Sequence, residues 1–266
     1  MSASRRDETP SQDPAPGGAV ILFDLDDTLM AHREAVADGI LAHLRERGYD
    51  AHVAEARALW HELEERHYHA YLAGALTFEE QRRARASEFA LAHGDALDDD
   101  AAGAWFARYF EHYRASWALH DDVEPAFDAL ERTLPGVRFG IITNGEEEFQ
   151  LAKLVRLGLE VGHPGRIAHL VASGSEGVTK PDARIFHAAI ARFAASSPVS
   201  AAAYVGDRLR TDAIGAARAG LVGVWLNRSG ERPDELDAAD AATAGVLEIR
   251  SLSELPALLR DHLAGE

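Results

Sequence analysis

Residues 19–23 form an unbroken apolar run, AVILF, that stops abruptly at Asp24. A strand with one wet face alternates apolar and polar side chains, so a short continuous run predicts a strand buried on both faces of a parallel sheet. Similar runs recur at 137–142, 167–171, 202–205 and 222–226, with helix-like stretches between them. Strand and helix in alternation predict an α/β fold: a Rossmann-like, three-layer core around a parallel sheet. The helices carry their own end signals. Residues 151–157 have apolar positions at helical spacing and stop at Gly158, the helix after Thr211 stops at Gly220, and Ser251 with Glu254 forms a capping box before residues 252–263.

The interval between the first two strands is far longer than one crossover helix needs. Residues 31–117 are rich in Ala, Leu, Glu, Arg and His, contain no proline, and carry a possible capping box at Thr77 and Glu80. They read as an inserted, all-helical domain. The expected organisation is therefore a polar tail over residues 1–18, a core over 19–30 and 118–266, and a helical insert over 31–117. The aspartates at 98–100 read as a solvated helix start or loop.

The 266 residues are 47% hydrophobic and 27% charged, ordinary globular usage. Lys and Arg number 27 against 44 Asp and Glu, a formal charge of −17. That balance disfavours nucleic acid and anionic membranes, which are bound by clustered cations. The chain has no cysteine, which excludes disulfides, thiol nucleophiles and thiolate metal sites; any metal must sit on oxygen or imidazole. No apolar stretch has the length of a signal-peptide core or a membrane span, so the expected location is the cytoplasm.

Polar residues gather where the apolar runs end, the place where open α/β sheets bind ligands. The first run leads into Asp24-Leu25-Asp26-Asp27-Thr28; in an extended backbone Asp24 and Asp26 face the same side. The second leads into Thr143-Asn144-Gly145, whose hydroxyl and amides can bond an anionic oxygen. Lys180 precedes Pro181 and Asp182 at a helix entry, and Gly206-Asp207 ends a further run with Asp212 five positions on. Each has a plainer reading in isolation: Asp24 and Asp26 as caps, Thr143-Asn144-Gly145 and Asp207 as turns, Lys180 as a solvated surface lysine, Asp182 and Asp212 as charges at helix starts. Asp27 reads as solvated or capping.

In order, these motifs resemble the haloacid dehalogenase-like hydrolase superfamily, with its Asp-x-Asp-x-Thr, a Ser or Thr, a Lys, and Gly-Asp followed by another Asp. The helical insert is similar to its type I cap. FDLDDTL, IITNG, KPDARIFHAA and YVGDRLRTDAIGAARAG resemble its phosphatase branch, with phosphoglycolate phosphatase-like, acylneuraminate-phosphate phosphatase-like and nucleotidase-like members. The resemblance implies a phosphomonoester hydrolase acting on a small phosphorylated metabolite. Asp24 would be the nucleophile that forms an aspartyl-phosphate and Asp26 the general acid and base. Thr143 and Lys180 would hold the phosphoryl oxygens, helped by the amides of Asn144 and Gly145. Mg²⁺ suits a site where several anions meet; its implied ligands are the carboxylates of Asp24 and Asp207 and the backbone carbonyl of Asp26, with Asp212 behind them.

Other readings share the fold. A sugar phosphomutase uses the same intermediate; a haloacid dehalogenase aims the aspartate at carbon and does not keep an acid at the Asp26 position. A non-catalytic phosphate-ligand or partner-binding protein is an alternative of another class. Within the insert, Arg82, Arg83 and Arg85 read as exposed, and Trp60 and His67-Tyr68-His69 as packing residues. Monomer and homodimer are both compatible with the sequence.

Overall fold

The structure, a computed structural model, describes residues 18–49 and 52–263. The expected tail at 1–17 lies outside the described residues, and Gly18 already belongs to the first strand. In chain order the elements are β1 (Gly18–Phe23), α1 (His32–Arg47), α2 (Val53–Leu72), α3 (Phe78–Ala92), α4 (Asp99–Ala115), α5 (Val123–Thr133), β2 (Arg138–Thr143), α6 (Glu147–Arg156), β3 (Ile167–Ala172), α7 (Ser173–Glu176), α8 (Ala183–Ala194), β4 (Val199–Gly206), α9 (Gly215–Arg218), β5 (Val222–Leu226), α10 (Glu235–Ala244), β6 (Leu247–Ile249) and α11 (Leu255–Leu263). A π-helical turn, Leu209–Ile214, precedes α9. The chain divides into two compact units. One comprises residues 18–25, Asp121–Val155 and 159–263, the other Asp26–His120 and Arg156–Gly158.

The first unit is a six-stranded sheet in the order β3-β2-β1-β4-β5-β6, with every pair parallel. From β1 the chain steps outward through β2 and β3, then returns and steps outward through β4, β5 and β6. The reversal places a topological switch point between β1 and β4, where such sheets leave a crevice at their carboxyl ends. All five expected strands are present. β1 shows why its apolar run is continuous: Val20 and Leu22 join Ile142, Phe186 and Phe193 in one core cluster. Phe23 packs edge-on against Phe127 of α5, ring centroids 5.2 Å apart. Alternate side chains thus serve helices on opposite faces, and each large apolar side chain so buried contributes about 2 kcal/mol.

The helix ends follow the sequence signals. Gly158 and Gly220 take left-handed backbones at φ 75 and 89° after α6 and α9, and Asp182 caps α8 through the Arg184 amide at 2.9 Å. The Ser251–Glu254 capping box forms ahead of α11.

The second unit is built on α1 to α4. Helices α1 and α4 approach closely at Gly39, where a Cβ would lie 2.8 Å from the Tyr113 Cα; glycine lets the two backbones touch. Thr77 and Glu80 form the expected box on α3, and Asp98 caps α4 by accepting from the Ala101 amide at 2.9 Å. Trp60 is a core residue, its ring centroid 5.2 Å from Phe89 and 4.6 Å from Tyr109. The entering and leaving segments of the unit pair antiparallel at Met30 and Leu119, with the Ala31 amide bonded to the Ala118 carbonyl at 3.0 Å.

The arginines of α3 correct a sequence expectation. Arg85 is only 5% exposed; its Nη2 donates to Glu64 Oε1 at 3.0 Å and its guanidinium lies 4.5 Å from the Trp60 ring. Arg82 stacks over Phe78 at 4.0 Å, and Arg83 pairs with Asp99. A guanidinium is weakly hydrated and stacks on rings, so a facing carboxylate and an aromatic surface draw it inward where composition alone predicts solvent.

Candidate active site

The register of the sheet aligns the motif-bearing strand ends. Phe23 lies opposite Ile141 of β2 and Val205 of β4, so Asp24 comes level with Ile142 and Gly206. The Asp24 amide donates to the Val205 carbonyl at 2.9 Å, which holds Asp24 at the β1/β4 crevice. Thr143 ends β2 at the same edge and is buried.

At that edge Lys180 is 5% exposed, against the ordinary expectation for a lysine. Its ammonium donates three hydrogen bonds: to Asp24 Oδ1 at 2.6 Å, to Asp212 Oδ1 at 2.7 Å and to Tyr204 Oη at 2.7 Å. Three N–H groups thus meet three acceptors, which is what a buried ammonium requires. Burial pulls the Lys180 pKa down, but the Asp212 and Asp24 carboxylates outweigh it, so the group is held above its usual value and stays charged. The main chain of Lys180 is also gripped. Asn144 accepts from its amide at 2.8 Å and donates to its carbonyl at 3.0 Å. The family resemblance implies a backbone-amide role for Asn144; in the structure its side chain also locks the lysine loop onto the end of β2.

Asp212 is 1% exposed. Its Oδ1 receives Lys180, and its Oδ2 accepts from the Arg208 amide at 3.0 Å. It sits in the π turn rather than in a regular helix, and that wider turn brings it back over Gly206. A Cβ on Gly206 would lie 2.4 Å from the Asp212 Cβ and Cγ, so only glycine permits the approach. Asp207 is half-buried, and the indole of Trp225 donates to its carbonyl at 2.9 Å. One carboxylate oxygen from each of Asp24, Asp207 and Asp212 falls within 4.8 Å of the others. Hard oxygen donors at that spacing fit a divalent cation.

Asp26 belongs to the helical unit. There its Oδ1 lies 3.7 Å from His32 Nδ1, and the same nitrogen is 2.9 Å from Tyr113 Oη. Asp27 departs from the strand pleat with φ 61° and accepts from the Arg33 amide at 2.8 Å, a local turn role. Gly145 leads out of β2, and its carbonyl accepts from the Gly174 amide at 3.1 Å. Glu176 pairs with Arg192.

Tyr204 escaped the sequence reading. It is fully buried in β4, its ring edge-on to Phe186 with centroids 5.1 Å apart. Its Oη lies 3.2 Å from both the Ile142 carbonyl and Asp212 Oδ1. Burial first, then the Asp212 and Asp24 carboxylates, push its phenol well above the usual value, so it remains neutral. The signal in the sequence is a hydroxyl inside the apolar run 202–205, which must find a partner when buried.

A sequence profile of the haloacid dehalogenase-like hydrolases matches residues 19–220. A phosphoserine phosphatase from Thermus thermophilus is 30% identical over 88% of this chain and 98% of its own. A ribulose-1,5-bisphosphate 5-phosphatase from Halopiger xanaduensis is 30% identical over 84% of this chain and 90% of its own. Among solved structures, the magnesium-bound HAD-hydrolase YfnB from Bacillus subtilis shares the fold with a TM-score of 0.70 at 21% identity, covering 91% of this chain and 99% of that one. With its profile match spanning most of the sheet and the strand-end residues, the chain belongs to the haloacid dehalogenase-like hydrolase family.

Proposed function

We propose that the protein is a Mg²⁺-dependent phosphomonoester hydrolase acting on a small phosphorylated metabolite. The observation that carries this reading is the buried cluster of Lys180 with Asp24 and Asp212 at the carboxyl edge of the sheet. Its relatives' names, a phosphoserine phosphatase and a ribulose-1,5-bisphosphate 5-phosphatase, support the same class. They differ in leaving group, as expected if the helical unit, acting as a cap over 31–117, selects the substrate while the core handles the phosphoryl group.

Asp24 attacks phosphorus, forming an aspartyl-phosphate and expelling the alcohol. Asp26 protonates the leaving oxygen and then, as a carboxylate, takes a proton from the water that opens the acyl-phosphate. Lys180 and the Thr143 hydroxyl hold the transferring oxygens, with the Asn144 and Gly145 amides beside them. Asp24, Asp207 and the Asp26 carbonyl would hold the Mg²⁺, which when bound offsets the charge of phosphate and carboxylates. Asp212 keeps Lys180 aimed at Asp24.

The test is inorganic phosphate release from p-nitrophenyl phosphate and from a panel of sugar, nucleotide and short-acid phosphates, with Mg²⁺ and with EDTA. Turnover that needs the metal is expected, with Asp207→Asn requiring at least about tenfold more Mg²⁺ for half-maximal rate. Turnover unaffected by EDTA would exclude the metal role, and an isomerised sugar phosphate in place of free phosphate would reassign the enzyme as a mutase.

Gly206→Ala tests the geometry. Its methyl group must displace Asp212, and with it Lys180, so kcat is expected to fall about 100-fold. A variant with the kcat of the native protein would mean that the close approach at Gly206 plays no part in activity.

A further inference from the structure

The geometry points to Tyr204 as a positioning residue that holds the Lys180 ammonium in place while its partner Asp24 changes chemically during turnover. The inference rests on the phosphohydrolase reading above and goes beyond it. In that reaction the Asp24 oxygen that attacks phosphorus forms a new P–O bond, and the alcohol departs with a proton from Asp26. Asp24 thereby changes from a carboxylate to an acyl-phosphate, and the acceptor it offers Lys180 weakens midway through the cycle. The other two acceptors are not consumed: Asp212 Oδ1 and Tyr204 Oη, each at 2.7 Å. Two fixed points, together with the main-chain grip of Asn144, keep the ammonium from swinging after Asp24 reacts.

Tyr204 is suited to this by what anchors it. Its ring is fully buried against Phe186, and its Oη lies 3.2 Å from the Ile142 carbonyl, one residue before Thr143. The hydroxyl therefore joins β4, the end of β2 and the lysine loop through one atom. As an acceptor toward Lys180 it adds no negative charge, whereas a third carboxylate around one ammonium would deepen the negative excess that two already leave, which burial penalises. Phenylalanine would preserve the packing and leave one ammonium N–H without its acceptor.

The experiment uses the full chain as native protein, as Tyr204→Phe, and with p-aminophenylalanine at 204, which restores a donor and a weak acceptor. The chain has two lysines, Lys153 and Lys180, so nitrogen-15 lysine labelling yields two side-chain signals, separated by Lys153→Arg. In Tyr204→Phe the Lys180 ammonium is expected to exchange at least about tenfold faster with water, the Lys153 signal staying put. At a temperature where both proteins are folded, kcat should fall about 10- to 100-fold with KM within about threefold, and p-aminophenylalanine should recover part of both changes. A purely structural tyrosine would lower the melting temperature and leave kcat and the Lys180 signal alone; that result overturns the inference. Failure of Tyr204→Phe to fold moves the same comparison to 4-fluorophenylalanine at 204, which fills the space of the hydroxyl without a comparable acceptor; there an unchanged Lys180 signal and unchanged kcat against native would also overturn it. An inactive native protein would sink the phosphohydrolase reading, which is a separate outcome from an active native protein indifferent to Tyr204→Phe.

Discussion

Asp24→Asn is expected to lower phosphate release by at least about 10,000-fold while the protein stays folded, because under the proposed mechanism it removes the nucleophile and little else. The amide has nearly the shape of the carboxylate and its oxygen can still accept from Lys180 Nζ, now 2.6 Å from Asp24 Oδ1. What it lacks is the charge and the nucleophilic lone pair that form the acyl-phosphate. Lys180 keeps Asp212 as an anionic partner, so the ammonium remains neutralised and the sheet edge keeps its register. Steady-state phosphate release, together with trapping of phosphorylated protein by intact-mass analysis in acid, measures the outcome. Native protein should show a phosphorylated species and the variant none. Retention of more than about a tenth of native turnover would remove Asp24 from the nucleophile's role, since loss of even one electrostatic stabiliser of the transition state costs about 100- to 1,000-fold.

Lys180→Met should abolish turnover and also destabilise the fold by about 3 kcal/mol, or about 6–12 °C in melting temperature. The substitution leaves Asp24 and Asp212, 8% and 1% exposed, facing each other without a cation. Removing one member of a buried ion cluster costs more than the cluster's net worth, because the stranded charges cannot regain water. The pH dependence has a definite sign. The folded pKa of Lys180 lies above its unfolded value of about 10.4, so its contribution is complete below that value and is lost only as pH rises through the raised one. From pH 6 to 9 the gap between native and variant should stay constant. In acid it should narrow, since the stranded carboxylates of the variant can be relieved by protonation. Adding Asp212→Asn to Lys180→Met should recover part of the melting temperature and none of the activity. Recovery of neither would show that charge stranding is not the cause.

The sheet was legible because burial on both faces leaves a local trace. The five apolar runs in the sequence each became a strand, with ends displaced by a few residues at most, as in β4 (Val199–Gly206) against the expected 202–205. β6 was missed since Leu247–Ile249 is a three-residue edge strand, too short for a periodic signal. The two capping boxes were legible for a similar reason: both partners lie within four residues of each other, so spacing alone specifies the contact.

The side-chain environment was decided over longer distances. By itself Lys180 reads as a surface lysine; it is buried because Asp24, 156 positions away, and Asp212, 32 positions away, converge on it. The same holds for Arg85, drawn onto Trp60 by Glu64, and for Tyr204, whose hydroxyl meets an ammonium supplied by a distant loop. Asp212 reads as a helix-start charge until a π turn and a glycine without a Cβ let it fold back over the strand end. The sequence therefore determined the sheet, its helical insert and the order of acidic and basic residues along the strand ends, because apolar periodicity and capping act between near neighbours. Only the tertiary structure decided which charges are buried together, which atoms satisfy them and that a tyrosine completes the set, because the cost of desolvating a charge depends on every group brought around it in space.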